Sequence, residues 1–291
     1  MLGRMMCAVV VGVALQVCPA LGNTAGGWEA WAKGCESSTL AHFARDDEGG
    51  DVLQVTDLTT GEIYSVSVRT PLKGLFLFAP EWDATRTRLL WHWMGGGQAG
   101  AGIVDVRSGE FRFVSEPVPR SYGDYHACWS PSGRWVALER MQWVAEVWQA
   151  VLVPVEGGDE VVLAERECGR DHFRRVIALC WDDVRDVLYV LQEQDDPSAP
   201  AELVAVTVGK TGVEKKERIE VSGCRTIVDN TLPTCVGEGR VLLEGYGETQ
   251  EVGEDVLVGR AIWEVKGLRR STERLLWEAP WHTGDLRATG T

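Results

Sequence analysis

Three polar connections carry side chains of the types that hold an anionic or sugar-like ligand. EPVPRSYGDYHAC (116–128) contains Arg120, Tyr122, Tyr125 and His126. ERECGRDHFRRVIALC (165–180) contains Arg170, Asp171, His172, Arg174 and Arg175, and SGCRTIVDNTLPTC (222–235) contains Arg225 and Asp229. Guanidinium groups offer forked donors that match carboxylates and phosphates, and Tyr and His add an apolar body with a polar edge. The same set suits an acidic segment of another protein. A merely solvated loop face would show the same residues, so their type fixes a ligand class only if the fold gathers them.

Cysteine is the second source of chemistry. Of the eight in the chain, Cys7 and Cys18 fall in an N-terminal apolar stretch, which leaves Cys35, Cys128, Cys168, Cys180, Cys224 and Cys235. An even number in an exported chain is compatible with disulfides, and buried thiols are the alternative. There is no CxxC, which argues against a zinc ribbon or a thioredoxin-like centre.

Other candidate chemistries are weaker. The loops ARDDEGGD (44–51), MGGGQAGAG (94–102), QEQDDPSAP (192–200) and GETQEVGED (247–255) are acidic or Gly-rich. Asp46, Asp47, Glu48 and Asp51 lack the alternating spacing of a calcium loop and read as a solvated hairpin tip. Gly95, Gly97 and Gly100 match GxGxxG formally, but strand-like IVDV follows where a phosphate cradle needs a helix N-terminus. GxSxG, HExxH and Walker patterns are absent, and no carboxylate pair stands out as a catalytic dyad. Trp91, Trp93, Trp143 and Trp148 could line a carbohydrate surface, but Trp91 and Trp93 fall on one side of a strand and read as core packing. His42 and His92 read as core histidines, and no cofactor or metal is expected.

Composition sets the frame for these residues. A chain of 291 residues with 45% hydrophobic and 25% charged side chains is globular in type. A formal charge of -14 disfavours nucleic acid as a partner, which would call for a basic footprint. Residues 1–22 read as an export signal: Arg4, an apolar stretch from Met5 to Val17, then small residues at Ala20 and Gly22. The stretch is too short to span a bilayer, which takes roughly 20 apolar residues. The expected location is therefore periplasmic or extracellular, with no membrane span after cleavage. Cys18 as a lipidated residue is the lesser alternative, since Val17 before it is a poor fit.

The elements that must position the polar loops come from an internal repeat. WDATRTRLLWHW from Trp82, WSPSGRWVALER from Trp129, WDDVRDVLYVLQ from Trp181 and CVGEGRVLLEGY from Cys235 align. Each places an apolar residue seven positions after its anchor: Leu89, Val136, Leu188 and Leu242. This predicts a strand ending at the anchor, a tight turn and an antiparallel return strand. A second motif follows with Asp57, Gly61 and Glu62, again with Asp105, Gly109 and Glu110, and more loosely with Pro154 and Gly158. Asp capping a turn and Gly at positive φ explain the D-x-x-x-G spacing. Counting back to Cys35 gives five units of four strands over residues 35–280, the signature of an all-β propeller of four-stranded antiparallel blades. Six blades are the alternative count. Residues 23–34 form an N-terminal segment in which a helical turn over 28–33 is possible, and residues 281–291 a C-terminal tail.

WSPSGRWVAL, WDATRTRLLW, VTDLTTGE and VDVRSGE resemble TolB-type propeller repeats and, more loosely, WD-repeats. The resemblance covers about 35–280. It implies a fold and little about function, and the separate N-terminal α/β domain of TolB has no counterpart here. A propeller closes its ring where first and last blades meet. A Cys35–Cys235 bond would pin that junction, worth up to about 5 kcal/mol in the chain-entropy model. Cys168–Cys180 with Cys224–Cys235, and blade-to-blade pairings, fit the same register. The expected function is a non-catalytic binding module that holds an unknown protein or small polar ligand on its inter-blade loop face. A propeller hydrolase or lyase with a site at the channel mouth, and a structural envelope component, are the alternatives.

Overall fold

The computed structural model describes residues 39–45, 51–57, 60–67, 76–77, 81–95, 98–114, 122–168, 176–182, 184–194, 199–221, 226–227, 234–235, 240–252, 255–266, 272–278 and 282–283. Every regular element among them is a strand. The chain divides into two compact units, residues 1–96 with 102–112, and residues 97–101 with 113–291.

The strands form five antiparallel sheets in chain order among the described residues. The first holds β1 (Thr39–Arg45), β2 (Asp51–Asp57) and β3 (Ile63–Ser67). The second holds β4 (Phe76–Leu77), β5 (Glu81–Trp82), β6 (Arg88–Gly95), β7 (Gln98–Asp105) and β8 (Phe111–Phe113), with both short strands paired to β6. The third is β9 (Tyr122–Trp129), β10 (Trp135–Gln142), β11 (Val147–Pro154) and β12 (Val161–Glu167). The fourth is β13 (Ile177–Trp181), β14 (Val187–Gln192), β15 (Glu202–Val208) and β16 (Val213–Glu220). The fifth holds β17 (Thr226–Ile227), β18 (Thr234–Cys235), β19 (Arg240–Val252), β20 (Asp255–Lys266), β21 (Thr272–Glu278) and β22 (His282–Thr283). The GxGxxG match falls at the β6–β7 turn, between two strands.

The repeat spacing is the strand register. Trp82 stands opposite Leu89, Trp129 opposite Val136 and Trp181 opposite Leu188. The fourth copy slips by one: Cys235 pairs with Val241, and Leu242 with Thr234. Its turn, CVGEGRV, has Val236 where two of the other copies have an Asp after the anchor. Asp83 accepts from the Thr87 and Arg88 amides at 3.0 and 3.1 Å. Asp182 does the same for Val184 and Arg185, and Ser130 Oγ accepts from Trp135 N at 3.1 Å. A polar side chain after the anchor thus closes the turn that sets the register.

The second motif behaves as its spacing predicts. Asp57 and Asp105 accept from amides within their own turns, and Gly61 and Gly109 sit at φ of 74° and 71°. In the third copy it is Gly157 N that donates to Pro154 O, and Gly157 and Gly158 both have positive φ.

Burial falls from the early strands of a sheet to its last. Every residue of β14 is buried and all but one of β10, whereas β12 and β3 alternate or lie open. A run buried on both faces, such as VLYVLQ in β14, is what a strand between two packed layers requires. The third and fourth sheets share a core containing Trp135, Trp148, Ile177, Leu179 and Trp181. The other face of the fourth sheet packs Ala178, Tyr189 and Leu191 with Val241 of β19. Side chains join the layers: Trp181 Nε1 donates to Cys128 O and Trp135 Nε1 to Gly209 O, each at 3.1 Å.

That two-faced packing corrects one disulfide expectation. Cys128, Cys168 and Cys180 are thiols, and no disulfide joins them. Successive residues of β13 point to opposite faces, so Cys180 joins the Tyr189 core while Cys168 lies in the Trp148 core across the sheet. Cys168–Cys180 is not formed. Cys35 and Cys224 lie outside the described residues, as does the side chain of Cys235, and with them the ring-closing pair. The export signal, the 28–33 turn, the tail and the acidic run 46–48 lie there too.

Candidate functional site

The loop connections predicted to hold the site enter and leave the third sheet, and one irregularity there decides its geometry. From Trp129 back to His126, β9 pairs residue for residue with β10, and then Asp124, not Tyr125, stands opposite Arg140. Tyr125 is the extra residue of a β-bulge. Bulges re-aim a side chain and increase local twist. The corresponding pair in the fourth sheet, Ile177 opposite Gln192, is reached without a bulge.

The bulge turns the Tyr125 ring onto two indoles. Its centroid lies 5.8 Å from Trp143 at 68° and 5.2 Å from Trp148 at 51°. Such edge and tilted contacts add about 0.5–1.5 kcal/mol beyond their buried area. Burial pushes the Tyr125 phenol up to about 12. A Cβ on Gly123 would reach ordinary contact with Tyr125 Cε2 and Trp143 Cζ2 at 3.4 Å and press more closely on Ala99 Cβ at 3.2 Å. Trp148 is buried, and its indole N–H meets no acceptor among the described residues.

A charged pair clamps the base of the bulge. Arg140 Nε donates to Asp124 Oδ1 at 2.7 Å, with side-chain exposures of 6% and 0%. Arg140 also donates to both carboxylate oxygens of Glu160, at 2.5 and 3.1 Å. Burial works against the guanidinium charge, but the hydrogen bonds to Glu160 and the charge of Asp124 outweigh it and raise its pKa. One residue back on β10, buried Glu139 accepts from Leu179 N of β13 at 2.9 Å, so its carboxylate satisfies an amide in the middle of the first strand of the next sheet. His126, half-buried, stands opposite Glu139 across β9–β10.

The β10–β11 connection completes the group. Trp143–Glu146 form a four-residue turn, with Trp143 half-buried and Val144 85% exposed. Glu146 adopts φ of 57°, a left-handed conformation costing on the order of 1 kcal/mol for a residue with a Cβ. Its carbonyl accepts from Cys168 N at 2.8 Å. Cys168 is itself buried and its Sγ donates to Met141 Sδ at 3.3 Å. Burial, and next the Glu146 charge, push its thiol up to about 11, so it is neither a nucleophile nor a ready metal ligand at neutral pH.

Of the predicted site residues, the structure brings Tyr125 together with Trp143 and Trp148, and His126 follows it on β9 opposite Glu139. Tyr122 is described as the first residue of β9. Arg120, Arg170, Asp171, His172, Arg174 and Arg225 lie outside the described residues, as do Arg175 and Asp229. The Cys168–Glu146 hydrogen bond ties the end of β12 to the β10–β11 turn. Asp124, Arg140 and Glu139 were not singled out by the sequence. Among the four tryptophans considered for a carbohydrate surface, Trp91 is buried and stacked on Phe111 at 5.5 Å, and Trp148 is buried. Among the described residues, no group of three or more His, Cys, Asp and Glu stands where it could hold a metal ion, and no helix is long and apolar enough to cross a membrane.

Sheet order and register can be set against solved structures. The chain is similar to a putative TolB from Agrobacterium tumefaciens, with 14% identity over 88% of this chain and 82% of that one and a TM-score of 0.51. It is also similar to dipeptidyl peptidase 4 from Porphyromonas gingivalis, with 10% identity over 85% of this chain and 39% of that one and a TM-score of 0.52. The fold is that of a TolB-like β-propeller. The tricorn protease shares it, with 11% identity over 89% of this chain and 31% of that one and a TM-score of 0.51. The propeller spans only 39% of the dipeptidyl peptidase and 53% of a TolB from Acinetobacter baumannii. At these identities the likeness is one of fold alone. No protein-family model and no curated protein matches the chain.

In propeller terms, each four-stranded sheet is a blade. The β10–β11 turn and Cys168, the residue after β12, meet at one end of the third blade, where Glu146 O accepts from Cys168 N. The Tyr125 group is built at that end.

Proposed function

We propose that this chain is an exported, non-catalytic propeller that binds a polar ligand or a protein segment through the Tyr125 end of its third blade. The observation that carries the reading is how the buried ionisable groups beside Tyr125 are used. Asp124 is held by Arg140, and Glu139 by the Leu179 amide. Both carboxylates maintain blade geometry, where a catalytic acid or base would face a substrate within hydrogen-bond reach. What remains there is the half-buried Tyr125 and Trp143, and the sequences 116–128 and 165–180 that lead into and out of the third sheet carry Arg and His side chains of a composition suited to recognition of an anion. Export rests on residues 1–22, whose pattern is that of a cleaved signal.

The test is a thermal-shift and calorimetric screen of the mature protein against acidic peptides, uronic-acid oligosaccharides and small dicarboxylates. A stabilising ligand should lose its effect in Arg174→Ala and Tyr125→Ala, with the unliganded Arg174→Ala protein melting as wild type does. Turnover of a peptide or glycosidic substrate that disappears in His126→Ala would overturn the reading in favour of an enzyme.

A further inference from the structure

We infer that the chain pairs with a second copy of itself through β3, edge to edge and antiparallel, with Tyr64 on the two-fold axis. This surface belongs to the first sheet and does not depend on the binding function proposed above. β3 is the last strand of its sheet, and among the described residues no strand pairs with its far side. The turn before it fixes which way its backbone groups point. Asp57 N donates to Glu62 O at 2.9 Å, so Glu62 faces β2. Successive residues of a strand direct their backbone groups to alternate sides, so Tyr64 and Val66 also face β2. Ile63 and Ser65 then present their N–H and C=O groups to the open edge. The side chains are open as well: Ile63 is 66% and Tyr64 46% exposed.

An open edge is a template for another strand, and proteins guard such edges with charge. The last strands of the third and fourth sheets are guarded in this way: β12 reads VVLAERE and β16 reads VEKKERIE. β3 reads IYSVS, uncharged and rich in strand-favouring residues. Charge also selects the occupant. The chain carries a formal charge of -14, so two copies repel, and an uncharged edge is where they meet with least opposition. The sequence of β3 meets itself without conflict. With Tyr64 on the axis, Ile63 N–H donates to Ser65 O of the second copy and Ser65 N–H to its Ile63 O, and the symmetry repeats both bonds. Tyr64 then stands opposite Tyr64, an aromatic cross-strand pair, and Glu62 opposite Val66, so no like charges face each other. An axis through Ser65 would instead require Ser67 O as an acceptor. The β7–β8 turn already lies against that oxygen, where a Cβ on Gly109 would collide with it.

The experiment follows the mature full-length chain by sedimentation velocity from micromolar concentration to about 0.5 mM. A dimer should grow with concentration, and more readily at high salt, because screening weakens the repulsion between copies. Ser65→Pro removes an N–H that the ladder with β2 does not use. The monomer should keep its melting temperature while the dimer weakens by about tenfold or more. Tyr64→Lys sets two ammonium groups opposite each other and should weaken the dimer as much, which keeps the test open if the proline variant fails to fold. Under mild oxidation, with the bond mapped by mass spectrometry, Tyr64→Cys should form an intermolecular disulfide at the axis, where opposed Cα atoms lie about 4.5 Å apart. Ser65→Cys should not, because its two copies stand diagonally, beyond disulfide reach. A monomer at every concentration, or a dimer that neither Ser65→Pro nor Tyr64→Lys weakens, overturns the β3 pairing. A disulfide that forms in Ser65→Cys in preference to Tyr64→Cys overturns the Tyr64 axis.

Discussion

Replacing Arg140 by methionine tests the link between blade geometry and the candidate site. Asp124 has no exposed side-chain surface and is neutralised by Arg140 at 2.7 Å. Methionine keeps most of the volume and removes the charge. Breaking a buried pair on one side leaves a desolvated carboxylate behind, which costs about 3–5 kcal/mol. Glu160, 36% exposed, relaxes into water and contributes little of this. For a chain of this size the loss corresponds to a fall in melting temperature of about 6–20 °C.

Two readouts separate this account from general damage to the core. The double variant Arg140→Met, Asp124→Leu removes both charges and should recover most of the lost stability, because replacing a buried ion pair with apolar side chains is often close to neutral. The Tyr125 phenol reports on the bulge itself. Burial holds it at about 12. If Arg140 clamps the bulge through Asp124, loosening it exposes the ring and moves its titration down toward the ordinary tyrosine value of about 10. Ultraviolet titration of Arg140→Met, with Tyr125→Phe to identify the transition, measures that shift. A single variant destabilised by less than about 1 kcal/mol, or a double variant as unstable as the single, would refute the buried-pair argument. An unmoved Tyr125 titration would refute the clamp.

Further outcomes follow from the turns and the buried groups. Gly61 and Gly109 have nearly equal φ, 74° and 71°, but a Cβ on Gly109 would lie against Ser67 O while one on Gly61 meets nothing within 4 Å. Gly61→Ala should therefore cost about 1 kcal/mol of conformational strain in urea melts, and Gly109→Ala should cost more by at least about 1 kcal/mol. Glu139→Leu strands the Leu179 amide and should cost about 1–3 kcal/mol, with faster hydrogen exchange at Leu179 as the local signature. The Cys168 thiol, raised from 9.0 to about 11, binds its proton more tightly folded than unfolded. Its contribution is complete below about pH 9 and lost as pH rises toward 11, so Cys168→Ser should flatten the alkaline limb of the stability profile.

The repeat was legible because its signal is one of register. An apolar residue seven positions after the anchor tryptophan is the residue that faces it across the turn, as Trp82–Leu89, Trp129–Val136 and Trp181–Leu188 show. The fourth copy slipped where the turn acid after the anchor was replaced by Val236. Anchor spacing could not reveal the bulge at Tyr125, because the extra residue lies upstream of Trp129 and leaves the distance from anchor to return strand unchanged. Nor could it reveal Asp124–Arg140 or Glu139–Leu179. The consecutive Glu139 and Arg140 of WVALERMQ put one charge on each face of the strand, and only packing on both faces of β10 makes both of them buried. The cysteines recurred by position, but recurrence said nothing of side, and Cys168 and Cys180 ended on opposite faces.

That difference between repeated and unrepeated features indicates where to look for function. Ten residues after the anchor tryptophan the three best copies carry His92, Glu139 and Leu191. In the fourth blade Leu191 fills a core, as the fold alone would require. In the third blade the same position holds a carboxylate whose burial is compensated by the Leu179 amide, and its cross-strand neighbour His126 begins the bulge. A buried carboxylate and a bulge are both costlier ways to build a blade than the apolar, regular pairing of β13 with β14. The bulge gives what the β13–β14 pairing lacks: a Tyr125 ring set against Trp143 and Trp148 beside the β10–β11 turn. The third blade departs from the repeat where it shapes that end, and this is the reason to propose the binding site there rather than at the equivalent end of the fourth.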